Sequence, residues 1–238
     1  MNPAGSGPYS LTVGSLNNGT DYSFTVEVCN NTYCSTSDPS PSVHPFGAPI
    51  VPAPNMSNNG RSVTVSWGAV NWNGAGAGSA GLMINGEGSS CNSGDAGAGG
   101  SCTFIGASNI TYQATFGATN DQGQSGQATS NSVTTPPPEI NVSRGASAVG
   151  QPIDATHTCD DPSCAWIVVE LVGFAPNTHY TVQLDSGMGG FGSDGSQGFD
   201  TDGAGNAQGQ TTAFFGDPNS WVSATTGGVT GTRNPWAG

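Results

Sequence analysis

Lysine occurs nowhere in the 238 residues, and arginine only as Arg61, Arg144 and Arg233. Against sixteen acidic residues this leaves a formal net charge of -13. A chain so poor in cations has no basic stripe for a phosphate backbone and no polybasic patch for an anionic membrane, so nucleic acid is excluded as a partner. Without lysine there is no Schiff-base chemistry and no lysine–asparagine cross-link. Charged residues make up 8% of the chain, against about 25% in an average domain. No apolar run approaches the ~20 residues of a membrane-spanning helix, so no direct membrane insertion is expected. A Gly-x-Ser-x-Gly elbow, a phosphate loop and a protease-like Cys/His pairing are also missing.

What remains is a glycine-rich, strand-forming chain. Glycine numbers 38 and proline 16, which approaches a disordered composition. The even spacing of alternating apolar runs argues for order instead. Ser62-Val-Thr-Val-Ser-Trp67 is the clearest run. Val63, Val65 and Trp67 share one face and Ser62, Thr64 and Ser66 the other, so a half-buried strand with Trp67 between two sheets is expected. Similar runs predict strands over 9–13, 22–28, 81–85, 101–105, 110–116, 125–133, 139–142, 165–172, 178–184, 206–215 and 220–225. Tyr22, Phe24, Val26 and Val28 are expected to point inward, as are Ile167, Val169 and Leu171. The fold class is all-β: consecutive sandwiches with glycine-rich loops at their ends.

Six cysteines fall into three neighbouring pairs, Cys29 with Cys34, Cys91 with Cys102, and Cys159 with Cys164. Six allow 15 connectivities. Local bridges are the economical choice, because each pair lies within one expected domain. The chain-entropy model assigns about 2 kcal/mol to each of the two shorter loops and about 3 kcal/mol to the longer one. Bridges imply an oxidising compartment. The opening Met1-Asn-Pro-Ala-Gly-Ser-Gly reads as an interior stretch of a larger exported chain, with signal and anchor elsewhere.

Leu16-Asn-Asn-Gly-Thr-Asp-Tyr22-Ser-Phe-Thr-Val26 resembles the corner and sixth strand of a fibronectin type III domain. There a tyrosine hydroxyl bonds back to upstream backbone. Ser62–Trp67 resembles the second strand of such a domain, and Tyr112 stands at its corner position. The Cys159-x4-Cys164 run, Gly173-Phe174 and the terminal Val229 to Trp236 segment resemble a β-sandwich module of actinobacterial surface proteins. The resemblance implies three domains: a truncated fibronectin type III domain at 1–47, a second at 48–137 and an immunoglobulin-like sandwich at 138–238. It further implies a surface protein of gut actinobacteria of the bifidobacterial type. Members of that family are implicated in contact with host proteins, including capture of a cytokine such as tumour necrosis factor.

Candidate contact residues lie in the loops: Asn30, Thr32 and Tyr33 in one, Trp72 and Asn73 in another, and Glu87 in a third. Trp72 is the tryptophan expected to face solvent. Asp200, Asp202 and Asn206 have oxygens at calcium-loop spacing but no closing glutamate, and a hairpin turn is the favoured reading. His157 and His179 with Cys159 and Cys164 could be read as a zinc site, but paired cysteines are favoured. Asp160-Asp161 is the only adjacent acid pair, in a short loop, and carries no catalytic proposal. Five Asn-x-Ser/Thr sequons, at Asn18, Asn30, Asn55, Asn109 and Asn141, read as turn chemistry. The expectation is a non-enzymatic extracellular protein-binding segment with no cofactor. A structural spacer and an accessory carbohydrate-binding module are the alternatives.

Overall fold

A computed structural model describes residues 8–85, 91–152, 158–188, 195–215 and 220–236. The regular elements among them are sixteen β-strands, with no α-helix. The chain divides into two compact units: residues 1–56, 65–102 and 113–131, and residues 57–64, 103–112 and 132–238.

Strands β1 (Glu27–Cys29) and β2 (Cys34–Thr36) make a small hairpin. Strands β3 (Asn55–Asn59), β4 (Ser62–Trp67) and β6 (Gly100–Ile105) form one sheet in the order β3-β4-β6. Strands β5 (Ser79–Ile84), β7 (Thr111–Thr119) and β8 (Ser125–Thr134) form another in the order β5-β7-β8. The alternation is clearest in β7, where Tyr112, Ala114, Phe116 and Ala118 are all buried and the residues between them are not. In β4, Val63 and Val65 are buried as expected. Trp67 corrects its expectation: it is only half-buried, and its Nε1–H donates to the Ala96 carbonyl at 3.0 Å. Gly100, the first residue of β6, lies against its ring.

The remaining strands are β9 (Glu139–Ser147), β10 (Ala165–Val172), β11 (His179–Ser186), β12 (Ser196–Asp200), β13 (Ala207–Phe214), β14 (Trp221–Thr226), β15 (Val229–Thr230) and β16 (Asn234–Pro235). One sheet runs β13-β10-β9; the other runs β12-β11-β14-β15, with β16 also on β14. The pairs are antiparallel throughout. A single core joins the two sheets: Ile140, Val142, Ile167, Val169 and Leu171 from one, Val182, Leu184, Val222 and Ala224 from the other, closed by Phe174, Phe199, Phe214 and Trp236. Alternation along β10 puts Ala165, Ile167, Val169 and Leu171 inward and leaves Glu170 half-exposed. This is a two-sheet sandwich, built as hydrophobic-in, polar-out strands require.

Three corners share one construction. The hydroxyls of Tyr22, Tyr112 and Tyr180 accept hydrogen bonds from the backbone N–H groups of Asn17 (3.0 Å), Ala107 (2.8 Å) and Ala175 (3.2 Å), five residues upstream in each case. Three residues before each tyrosine stands one with positive φ: Gly19 (76°), Asn109 (58°) and Asn177 (49°). Glycine and asparagine are the residues that adopt this left-handed turn at least cost. The corner expected at Tyr22 and Tyr112 is therefore present, and a third at Tyr180 joins it. Its spacing is legible in Phe174-Ala-Pro-Asn-Thr-His-Tyr180 once asparagine is accepted in place of glycine.

Residues before 50 depart from expectation. Residues 9–13 form no strand, and Tyr9, Leu11 and Val13 are exposed. The expected strand over 22–28 survives as β1 and an irregular ladder. Phe24 and Val26 accept at their carbonyls from the Ser40 and Ser37 amides, but their own amides donate to the Ser40 and Ser37 hydroxyls, each at 3.0 Å. Serine side chains thus stand in for backbone acceptors. Phe24, Val26 and Val28, expected inward, are exposed.

Candidate functional site

The apolar face of residues 22–28 is the largest departure from a sealed β-fold. Phe24, Val26 and Val28 share it by two-residue alternation, and the bridge between Tyr22 and Val43 places Val43 beside them. Val26 and Val28 are 63% and 68% exposed, where a strand with a sealed inner face would bury both. The alternation comes from a sequence suited to a sandwich, and no second sheet among the described residues covers its inner face. Residues 1–60 hold Asp21, Glu27 and Asp38 and neither arginine nor lysine.

At the tip of the hairpin, Asn30 organises the turn. Its Oδ1 accepts from the Thr32 and Tyr33 amides at 2.8 and 2.7 Å, and its amide donates to the Tyr33 carbonyl at 2.8 Å. Tyr33 is 75% exposed and projects from the turn. The structure thus brings Asn30, Thr32 and Tyr33 together. Trp72 is half-buried, with Gly97 against its ring. Asn73, at a positive φ of 54°, is committed within the fold: its Nδ2 donates to the Ala48 carbonyl (2.9 Å) and its Oδ1 accepts from Asn18 Nδ2 (3.0 Å). The neighbouring Gly74 has φ of 86°, and a Cβ there would lie 2.3 Å from the Gly19 amide nitrogen, so only glycine fits. Glu87 and His157 lie outside the described residues.

His44 fastens this region. Its Nδ1 lies 2.7 Å from Asp21 Oδ1 and its Nε2 2.9 Å from the Gly74 carbonyl oxygen. Both partners are acceptors, so the imidazolium satisfies both contacts and the neutral ring only one. The Asp21 hydrogen bond, helped by the Gly74 carbonyl, raises the ring above its ordinary value of 6.5 against a smaller opposing effect of desolvation. A raised folded value means that this stabilisation is complete below 6.5 and is lost as pH rises through the folded value. In an NMR titration the His44 ring should titrate above 6.5, and Asp21→Asn should bring it back toward that value. An unchanged titration in the variant would refute the clip.

The oxygens of the calcium-spaced loop each meet protein donors. Asp202 Oδ1 accepts from the Ala204 and Asn206 amides, both at 2.8 Å, Asn206 Oδ1 accepts from the Gly173 amide at 3.1 Å, and Asp200 pairs with His179 at 2.8 Å. In the acid pair, Asp161 Oδ1 accepts from the Ser163 amide at 2.7 Å. Hydrogen bonds from Ser163 hold the Asp161 carboxyl below its ordinary 3.8, a turn carboxylate rather than a proton donor at neutral pH. All six cysteines are paired in three local bridges, Cys29–Cys34, Cys91–Cys102 and Cys159–Cys164. Cys159 and Cys164 are buried beside Ala148, Ala213 and Trp166, which is half-buried as well. Trp221 lies 4.0 Å beneath the Arg233 guanidinium.

No family model matches this chain, and no curated protein matches it. Among solved structures it is similar to the FN1–FN3 domains of chicken CNTN1, at 14% identity and a TM-score of 0.32, over 91% of this chain and 74% of that one. It is also similar to the receptor tyrosine kinase Torso in a structure of neurohormone perception, at 8% identity and a TM-score of 0.23, over 80% and 76%. The all-β assignment rests on the chain's own sheets and corners, and no helix among the described residues is long and apolar enough to cross a membrane.

Proposed function

We propose that this chain is a non-catalytic, extracellular protein-binding segment of a bacterial surface protein. The observation that carries the reading is the exposed apolar face of Phe24, Val26, Val28 and Val43, in a stretch (residues 1–60) that holds no arginine or lysine and a chain of net charge -13. Such a face favours a partner that presents apolar side chains flanked by cations. The three disulfides support an oxidising, extracellular setting. The proposed organisation is fibronectin type III strands over 1–47, a fibronectin type III domain over 48–137 and an immunoglobulin-like module over 138–238. The likeness of the chain to fibronectin type III surface proteins of actinobacteria, carried by the Cys159-x4-Cys164 run, Gly173-Phe174 and the Val229 to Trp236 segment, supports a host cytokine, such as tumour necrosis factor, as the class of partner. The loop at Asn30, Thr32 and Tyr33 adds exposed contacts beside the face, and Trp72 and Glu87 complete the proposed contact set, Asn73 being committed within the fold.

A specific observation favours a second reading, a spacer. Arg61 Nε donates to the Gly106 carbonyl at 2.9 Å while its Nη1 donates to the Ala204 carbonyl, and Ser108 Oγ donates to the Gly173 carbonyl. These bonds stiffen the junction within the second compact unit. A panel of immobilised cytokines and matrix proteins separates the two readings. Binding to at least one protein, weakened tenfold or more by the double variant Val26→Ser/Val28→Ser and by added salt, is the expected result. No binding across the panel would leave the spacer reading.

A further inference from the structure

The Cys29–Cys34 bridge differs from the other two in exposure and in what stands beside it. Cys29 and Cys34 face each other in register across β1 and β2, and both are exposed. Cys91, Cys159 and Cys164 are 3%, 1% and 0% exposed. An attacking thiolate therefore reaches the hairpin bridge directly, whereas each of the other bridges has at least one shielded sulfur. Glu27 stands two residues before Cys29 on the same strand face. Its Oε1 lies 3.2 Å from the Cys29 sulfur. One carboxylate oxygen of Glu27 and the two bonded sulfurs all lie within 4.8 Å of one another, so once the bridge is opened three donors stand close enough to converge on a single ion.

The turn has hydrogen bonds of its own besides the bridge. Asn30 closes residues 30–33 through its backbone amide and its side-chain oxygen, and none of those bonds involves sulfur. These bonds would hold the hairpin closed once the disulfide is opened, with the two cysteines opposed.

We infer that Cys29, Cys34 and Glu27 form a redox-gated site for a thiophilic divalent cation such as zinc. The reductant is a dithiol. One of its thiolates attacks a bridge sulfur, forms a mixed disulfide and expels the other cysteine as thiolate. Its second thiolate then attacks the reductant sulfur of the mixed disulfide and releases the second cysteine. The dithiol gives up two electrons and leaves as its cyclic disulfide. The cation binds both cysteines as thiolates and releases their protons to solvent, with the Glu27 carboxylate as third ligand and water as fourth. Two thiolates and a carboxylate select zinc, cadmium or cobalt(II) over calcium and magnesium, which prefer all-oxygen sites.

The test uses the full chain, a graded series of dithiothreitol concentrations, alkylation with mass spectrometry, and cobalt(II) as the spectroscopic probe. The expected result is that Cys29 and Cys34 alkylate at reductant concentrations that leave the other four cysteines paired. The reduced chain then takes up one cobalt(II) with a thiolate charge-transfer band that zinc abolishes. Glu27→Gln should weaken uptake tenfold or more, and Cys34→Ser should remove the band. Equal reduction of all three bridges would overturn the inference. So would binding of similar strength to the oxidised chain, or a Glu27→Gln variant that binds as the parent does.

Discussion

Trp236→Ala is expected to cost about 3–5 kcal/mol of unfolding free energy, the range for removing a large aromatic from a core. Trp236 is 1% exposed although it lies only two residues from the end of the chain given. Its ring meets Phe214 edge-on at 5.3 Å, and the Arg144 guanidinium carbon lies 5.9 Å from its centroid. Its amide donates to the Ser220 carbonyl at 2.8 Å, which ties the terminal segment to the start of β14. The indole therefore plugs one end of the sandwich, and no other side chain replaces its volume. Trp236→Phe should cost much less, within about 2 kcal/mol. It keeps the aromatic contact with Phe214 and removes a buried Nε1–H that has no partner among the described residues. Urea unfolding followed by circular dichroism measures both. An alanine variant within about 1 kcal/mol of the parent would show that the terminal tryptophan is not part of the core.

The three tyrosine corners give the second large effect, and a graded one. Tyr112 is fully buried and its hydroxyl accepts from the half-buried Ala107 amide. Tyr112→Phe keeps the edge contact with Phe104, whose ring lies 5.3 Å away, but strands that amide, at about 1–3 kcal/mol. In the Tyr22 corner the donor Asn17 is exposed, so water takes over the bond and Tyr22→Phe should change stability by no more than about 0.5 kcal/mol. Tyr180, half-buried with a longer bond to the exposed Ala175 amide, should fall between them. Equal losses at all three positions would mean that burial does not set the value of the corner bond. The same unfolding measurement decides it.

Several expectations from sequence stand in the structure because they depend on period alone. The alternation of Ser62–Ser66, Ala165–Val172 and the run through Tyr112, Ala114 and Phe116 separates buried residues from less buried ones as observed. Others failed where a contact distant in sequence decides. Strand β3 was not legible in Asn55-Met-Ser-Asn-Asn59, because half of its support is a side chain: Asn131 donates to the Met56 carbonyl and accepts from its amide, both at 2.8 Å. Trp67 has the phase of a core residue, but a glycine-rich loop ending at Gly100 gives its ring and N–H a place outside the core.

The resemblance of residues 16–26 to a fibronectin type III domain implied the corner at Tyr22, while residue order by itself determined the all-β class, the strand faces and the local pairing of cysteines. Each of these follows from chirality, two-residue periodicity and the short reach of a few bonds along one chain. Only the tertiary structure decided whether an apolar face is sealed. The 22–28 strand carries the pattern of an inner face yet stands open, because burial needs a second sheet and no local rule supplies one. Tertiary structure likewise decided that Asn73 is committed within the fold and that Trp236 closes a core. Those outcomes depend on which distant backbone groups the chain brings within a few ångströms.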